Sequence, residues 1–475
     1  MVMSDRFPNF PKLPKIILLL VASGLCSLVA SRVVAQTSIP EATAAARVEQ
    51  QQKQARQVRP DNYDLGRYPV TDKNEKHWRF LLWTTAVTQP KETYVGEAVT
   101  RILALTTRSS LSPAQGRTVQ MAMQVGTQLY LSDPSFYGAI GQQFQQTLDR
   151  SPDQEWVAMA LSALTRAAPS TTDSASKAAV TPTLAQIQTW RDRAKSRFPN
   201  WQKNTHLRTT LQDVTNLSSP AAVPPLADLL KWTIAPNQVQ MYVICQSDRW
   251  VVCRAVLKNR RGEFVRQTAD PASELWSVPL LLRSVHGLSW NFTRGQTPQG
   301  IYRIESTVPQ PDREFFRAFG QFPLVQLFVP FEAGAREFLP GKKGTFRGSI
   351  AAYQALLPAS WRNYQPLQQS YWAGRAGRGL FRIHGTGEGL DFFAGKDRNP
   401  DSYLWNPTIG CLSALETYDE SGQLKQSDMQ QILNRLVSAG GQKFSGYLIV
   451  VDLPSSTAAP IDLATLESAI QSARP

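Results

Sequence analysis

Cys411 and His384 are the residues of this chain best suited to covalent chemistry. A cysteine becomes a strong nucleophile near neutral pH when a base takes its proton, and a histidine can hold that proton and pass it to a leaving amine. Both stand in strings of small residues: Ile383-His384-Gly385-Thr386 and Thr408-Ile409-Gly410-Cys411-Leu412. A glycine ahead of a nucleophile lets the backbone bend, so that its amide and the cysteine's own can point at a developing oxyanion. A strand-end histidine and a Gly-Cys turn, brought together by the fold, make an acyl-transfer site. The other histidines do not join this pattern. His77 and His206 are isolated, and His286, although followed by Gly287, reads as structural.

A third string, Gln296-Thr297-Pro298-Gln299-Gly300-Ile301-Tyr302-Arg303-Ile304, precedes the other two. In this order the three elements resemble the L,D-transpeptidase catalytic domain. That family has a Thr-Pro-x-Gly hairpin, an upstream His-Gly and a Ser/Thr-His-Gly-Cys box. The resemblance implies a β-sandwich-like fold over residues 236–455 and an exported protein of the periplasm or cell wall. It implies a thiolate that attacks a peptidoglycan stem peptide and releases a terminal D-amino acid, leaving a thioacyl-enzyme for an acceptor amine to resolve. Carried over by position, Cys411 is the nucleophile and His384 the base. Gly410 serves the oxyanion hole, Thr408 takes the box Ser/Thr place, and Gly385 and Thr386 orient the base. No metal or organic cofactor is implied.

The chain departs from the family pattern in named places. Ile409 stands where the box has its histidine, and Ser413 where Arg or Asn is usual. His384 and Cys411 are 27 residues apart, a longer gap than the family's. The insert Asp397–Trp405 reads as a lid or a changed substrate wall. A wall-binding or scaffolding protein that keeps the fold without turnover is therefore the alternative. An unrelated cysteine peptidase fits less well, because no Asn or Asp partner motif accompanies the pair.

The elements around these strings divide the 475 residues into more than one core's worth of chain. Arg6, Lys12 and Lys15, then the apolar run Ile16–Ala30, then Val33-Val34-Ala35, have the form of a signal peptide over residues 1–35; an uncleaved anchor is the alternative. Cleavage after Ala35 removes four basic side chains and one acidic one, so the formal charge of +14 falls to +11. Such a charge suits an anionic cell-wall surface, and export argues against nucleic acid. It leaves three cysteines. Cys245 and Cys253 are close enough in sequence to pair across a hairpin in an oxidising compartment, which makes Cys411 the odd thiol.

Residues 36–74 lack a core pattern and read as a flexible leader. Residues 75–232 read as a helical region with a linker at 168–183 and room for a protein partner. Ser112-Pro113-Ala114-Gln115 and Ser151-Pro152-Asp153-Gln154 have the form of helix starts. From about 236 the pattern turns to strands, expected at 239–245, 250–257, 278–285, 288–292, 300–305 and 447–451. A helix follows the cap Ser427-Asp428-Met429-Gln430, and a tail at 456–475 carries a short helix. The expected fold is α+β: a helical N-terminal region followed by a mostly-β domain.

Overall fold

The computed structural model describes residues 39–167, 182–310, 320–386, 402–454 and 459–472. The proposed signal peptide, most of the 168–183 linker and Asp397–Asp401 of the insert lie outside the described residues. The chain is α+β as expected, with helices first and strands after. No helix among the described residues is long and apolar enough to cross a membrane.

The helical region is built from α1 (Ala44–Ala55), α2 (Glu75–Thr88), α3 (Thr93–Leu103), α4 (Pro113–Ser132), α5 (Gly138–Arg150), α6 (Gln154–Arg166), α7 (Leu184–Arg197) and α8 (Thr205–Ser218). Ser112 caps α4 in a capping box with Gln115, as its sequence predicts. The second predicted start moves by two residues. Asp153, not Ser151, caps α6, because its carboxylate accepts the N–H groups of Glu155 and Trp156. Segment 36–74 also differs from expectation. It carries α1, and Ala42, Gln54 and Tyr63 are buried. The Ile39 and Ala44 amides donate to the carbonyls of Gly422 and Glu420, which ties this segment to the C-terminal domain.

The C-terminal domain has β1 (Val239–Gln246), β2 (Cys253–Lys258), β3 (Ser277–Leu281), β4 (Gly300–Val308), β5 (Leu324–Phe328), β6 (Arg382–Gly385), β7 (Leu412–Ala414) and β10 (Ser445–Leu453), with a separate ribbon of β8 (Glu416–Tyr418) and β9 (Leu424–Ser427). The expected sandwich-like arrangement is corrected here. The eight main strands close into a barrel in the order β1-β10-β4-β5-β6-β7-β3-β2. Each of them sends apolar side chains to one shared core, including Met241, Ala255, Leu280, Tyr302, Val325, Ile383, Leu412 and Leu448. Met429, Ile432 and Leu436, from the helix Asp428–Gly440, fill the same core. A second cluster covers the outer side of β1, β2, β4 and β10 with Phe338, Tyr353, Trp361 and Tyr371.

Residues 288–292 were expected to form a strand and instead belong to a finger between β3 and β4. Val285, Leu288 and Phe292 are buried in the core of the helical region. Burying Phe292 there contributes about 2–3 kcal/mol. The finger thus joins the two halves into one contact unit, Ser38–Pro475.

Cys245 and Cys253 form a disulfide across the β1–β2 hairpin, with Cα atoms 4.2 Å apart. Cys245→Ser with Cys253→Ser is expected to lower unfolding free energy by about 2.5 kcal/mol, the chain-entropy value for so short a loop. Urea unfolding of the double variant, compared with the oxidised protein, measures it.

Candidate functional site

Parallel pairing of β6 and β7 builds the site. Ile383 is level with Leu412, His384 with Ser413 and Gly385 with Ala414. Ile383 and Leu412 face the barrel core. Successive strand residues alternate, so His384 and Ser413 face the other way. Extending the register back by one residue sets Cys411 beside Arg382, diagonal to His384. With strands about 4.8 Å apart and about 3.3 Å of rise per residue, that diagonal is roughly 8 Å between Cα atoms. The thiol now points along β6 to the Leu380 carbonyl and the imidazole to the Gly385 carbonyl, so spanning that distance requires the thiol to turn. The β6–β7 pairing therefore brings the segments that carry the two predicted residues side by side, although 27 residues separate them in the chain.

His384 is 4% exposed. Its Nδ1 lies 2.7 Å from the Gly385 carbonyl oxygen. A carbonyl can only accept, so Nδ1 carries the proton and Nε2 is the basic nitrogen. Burial pushes the imidazole down to about 4, against the carbonyl bond that raises it. The ring is thus neutral near pH 7 and able to take a proton. Gly385 is required by packing: a Cβ there would lie 2.0 Å from a carboxylate oxygen of Glu416. Thr386 secures the same point, donating to the Glu416 carbonyl at 2.7 Å and accepting the Glu416 amide at 2.9 Å.

Cys411 is the free cysteine among the described residues and is 9% exposed. Its Sγ donates to the Leu380 carbonyl at 3.7 Å, so in this state the thiol proton is directed there and not at His384. Burial pushes the thiol up from its ordinary value. The Arg382 amide and the guanidinium groups of Arg382 and Arg378 pull it down, and the Glu332 carboxylate opposes them. Cys411 and His384 rest as a neutral thiol and a neutral imidazole. Rotation about the cysteine Cα–Cβ bond is the step that would pair them, and unliganded sites commonly hold such bonds open.

The turn before Cys411 is held by Thr408. Its hydroxyl donates to the Cys411 carbonyl at 2.7 Å and accepts the Gly410 amide at 3.2 Å. The Gly410 amide, expected in an oxyanion hole, is spent on this turn in the resting state. Gly410 has φ +129, and a Cβ would lie 2.6 Å from Nη2 of Arg378. Ile409, in place of the box histidine, is 43% exposed. Ser413 is fully buried, and its hydroxyl has no partner among the described residues.

The sequence reading left several residues out. Thr297 of the Thr-Pro-x-Gly string donates to the Gly410 carbonyl at 2.9 Å, so that string belongs to the nucleophile turn. Arg378, Arg382, Glu332 and Glu416 carry no local motif; only the barrel's closure brings them here. A cleft of about 410 Å³ opens beside Leu380 and Arg382 and is also lined by Glu305, Gln326, Glu332 and Arg336. Ser306 and Leu380 on its wall adopt left-handed backbone, φ +64 and +62. Such strain collects at functional sites. Among the described residues no group of three or more His, Cys, Asp or Glu is arranged to hold a metal ion. His286 is buried with Nδ1 on the Gln128 side-chain oxygen at 3.1 Å, in keeping with its structural reading.

No protein-family model, curated protein or solved structure matches the chain.

Burial raises the Glu416 carboxyl to about 7. A group raised on folding contributes stability below its unfolded value, near 4.5, and loses it as pH rises through 7. Glu416→Gln is therefore expected to match the parent near pH 4.5 and to exceed it by about 3 kcal/mol at pH 8. Urea unfolding across that range tests it; a constant difference refutes it. Gly410→Ala is expected to slow iodoacetamide labelling of Cys411 at least about tenfold through displacement of the turn, as read by peptide mass spectrometry.

Proposed function

We propose that the chain is an exported cysteine acyltransferase of the L,D-transpeptidase kind, acting on peptidoglycan stem peptides. One observation carries this reading: His384, its tautomer fixed by the Gly385 carbonyl, stands on the strand that pairs in parallel with the strand directly after Cys411. Nucleophile, base and base-orienting group are the three parts such catalysis needs.

In the proposed reaction the Cys411 thiol proton passes to Nε2 of His384 as Sγ bonds to the substrate carbonyl carbon. The tetrahedral oxyanion collapses, the C–N bond breaks, and the departing amine of the D-amino acid takes the proton back. An acceptor amine then attacks the thioester and gives up its proton through His384, releasing Cys411. The Gly410 amide enters the oxyanion hole only if it leaves Thr408, and the Cys411 amide is the other donor at the turn. The cleft beside Arg382, lined by neither Cys411 nor His384, offers both signs of charge and apolar surface at Leu380 and Phe328, which suits a peptide held next to the pair. The basic chain would lie against anionic wall polymer.

A second reading, a wall-bound scaffold without turnover, is favoured by the thiol's burial and its bond to Leu380. The helical region would then carry a protein partner.

The two readings separate in one measurement. The protein is incubated with a stem tetrapeptide, and its intact mass is followed. An acyl adduct on Cys411 is expected, absent in Cys411→Ala and slower by about 10²–10⁴-fold in His384→Ala, the usual worth of a positioned base. No adduct, together with iodoacetamide labelling of Cys411 that His384→Ala leaves unchanged, sinks the acyltransferase reading.

A further inference from the structure

The helical region has no part in the chemistry proposed above, yet the finger between β3 and β4 connects it to the nucleophile. On the helical side, Arg166 donates to the Gly287 carbonyl at 2.6 Å, and the hydroxyls of Ser162 and Ser289 lie 2.9 Å apart. The Trp290 indole donates to Asp213 at 2.8 Å. The Asn291 amide donates to the hydroxyls of Thr209 and Thr210 at 2.8 and 2.9 Å. These bonds and the buried Val285, Leu288 and Phe292 fix the finger on α6 and α8.

At its base the same finger grips the turn that carries Cys411. Thr408 donates its amide to the Arg283 carbonyl at 2.9 Å, and Val285 donates to the Thr408 carbonyl at 2.7 Å. Arg378 closes the connection. It is 6% exposed and donates to the carbonyls of Trp290, Gly295 and Gln296, the last two at 2.9 Å. Its Nη2 also occupies the space beside Gly410, 2.6 Å from where a Cβ on that residue would lie. A guanidinium can satisfy three carbonyls in a plane and still face a neighbouring sulfur, which an ammonium cannot match.

We propose that Arg378 is a positioning residue for Cys411: bonded to the finger carbonyls and packed at Gly410, it holds a buried cation beside the nucleophile's turn, so that the finger and the helical region behind it set the nucleophile's surroundings. The proposal rests on Cys411 being the nucleophile. The charged and titratable groups facing this sulfur are Arg378, Arg382 on β6, Glu332 after β5 and Tyr302 on β4. Arg378 is the one bonded to the finger. Arg382 donates instead to the carbonyl groups of Leu327 and Phe381.

The test is the rate of iodoacetamide labelling of Cys411 against pH in the full protein and three variants. Arg378→Met is expected to move the midpoint of that profile up by about one unit and to cut the rate at pH 7 about tenfold. Arg378→Lys restores the midpoint but not the full rate. Trp290→Phe, which removes one N–H from the finger's anchor on Asp213, lowers the rate several-fold with the midpoint unmoved. Near-ultraviolet circular dichroism reports folding of each variant. A folded Arg378→Met with the parent midpoint overturns the proposal. If Arg378→Met does not fold, parent rates in both Arg378→Lys and Trp290→Phe overturn it. A parent protein whose Cys411 labels no faster than an ordinary thiol, with His384→Ala unchanged, refutes the acyltransferase reading instead. Normal parent labelling with unchanged variants refutes this inference alone.

Discussion

The parallel contact between β6 and β7 is the constraint on which the site depends. Antiparallel neighbours can be joined by two residues, but parallel ones need a crossover of about a dozen or more. The 27-residue separation of His384 and Cys411 is a consequence of that requirement, with further length to spare. The same contact completes the barrel, because β7 then pairs with β3 and β6 with β5. A register slip of one residue would turn His384 into the core and Ile383 out of it. The apolar burial of Ile383 and Leu412 thus sets the geometry of the neighbouring polar residues.

Electrostatics near the pair follows from the same closure. The barrel wall and the finger exclude water, and each ionisable group responds in the direction burial dictates: imidazole down, thiol up, Glu416 up to about 7. A neutral resting pair is the outcome. Proton transfer then has to accompany bond formation, and its cost falls on whichever groups stabilise the thiolate. Arg378 and Arg382 are placed for that, while Glu332 works against them.

Much of this was legible in the sequence, and the parts that were not have a common cause. Ser112-Pro113-Ala114-Gln115, Ser427 and the apolar run at 447–451 are local signals, and each formed its element. His384, Cys411 and the Cys245–Cys253 pair also carried local strings or spacing. What failed were inferences that needed long-range pairing. Residues 288–292 have strand-like composition, but Leu288 and Phe292 are buried in the helical core instead of pairing in a ladder. Whether strands form two faces or one closed wall depends on edge pairing, which leaves no local pattern. Arg378 sits in a Gly-Arg-Ala-Gly-Arg-Gly stretch that carries no functional motif; its partners are carbonyl groups about 80 residues earlier.

Those carbonyl groups explain why an arginine is tolerated in so enclosed a place. Trp290, Gly295 and Gln296 lie where the finger leaves regular structure, so their carbonyls have no ladder partner and would be costly to bury unsatisfied. Arg378 meets that need. The resulting cation cannot be shed, since a guanidinium stays protonated even where burial lowers it to about 10. A structural requirement of the finger therefore installs a permanent positive charge beside Cys411. The groove-like turn at Gly410 lets it approach, because any side chain at Gly410 would collide with it. The helical region, the finger and the thiol are in this sense linked: one set of bonds seats the finger on the helices, and a second, from Arg378 to the finger carbonyls, decides where the charge stands.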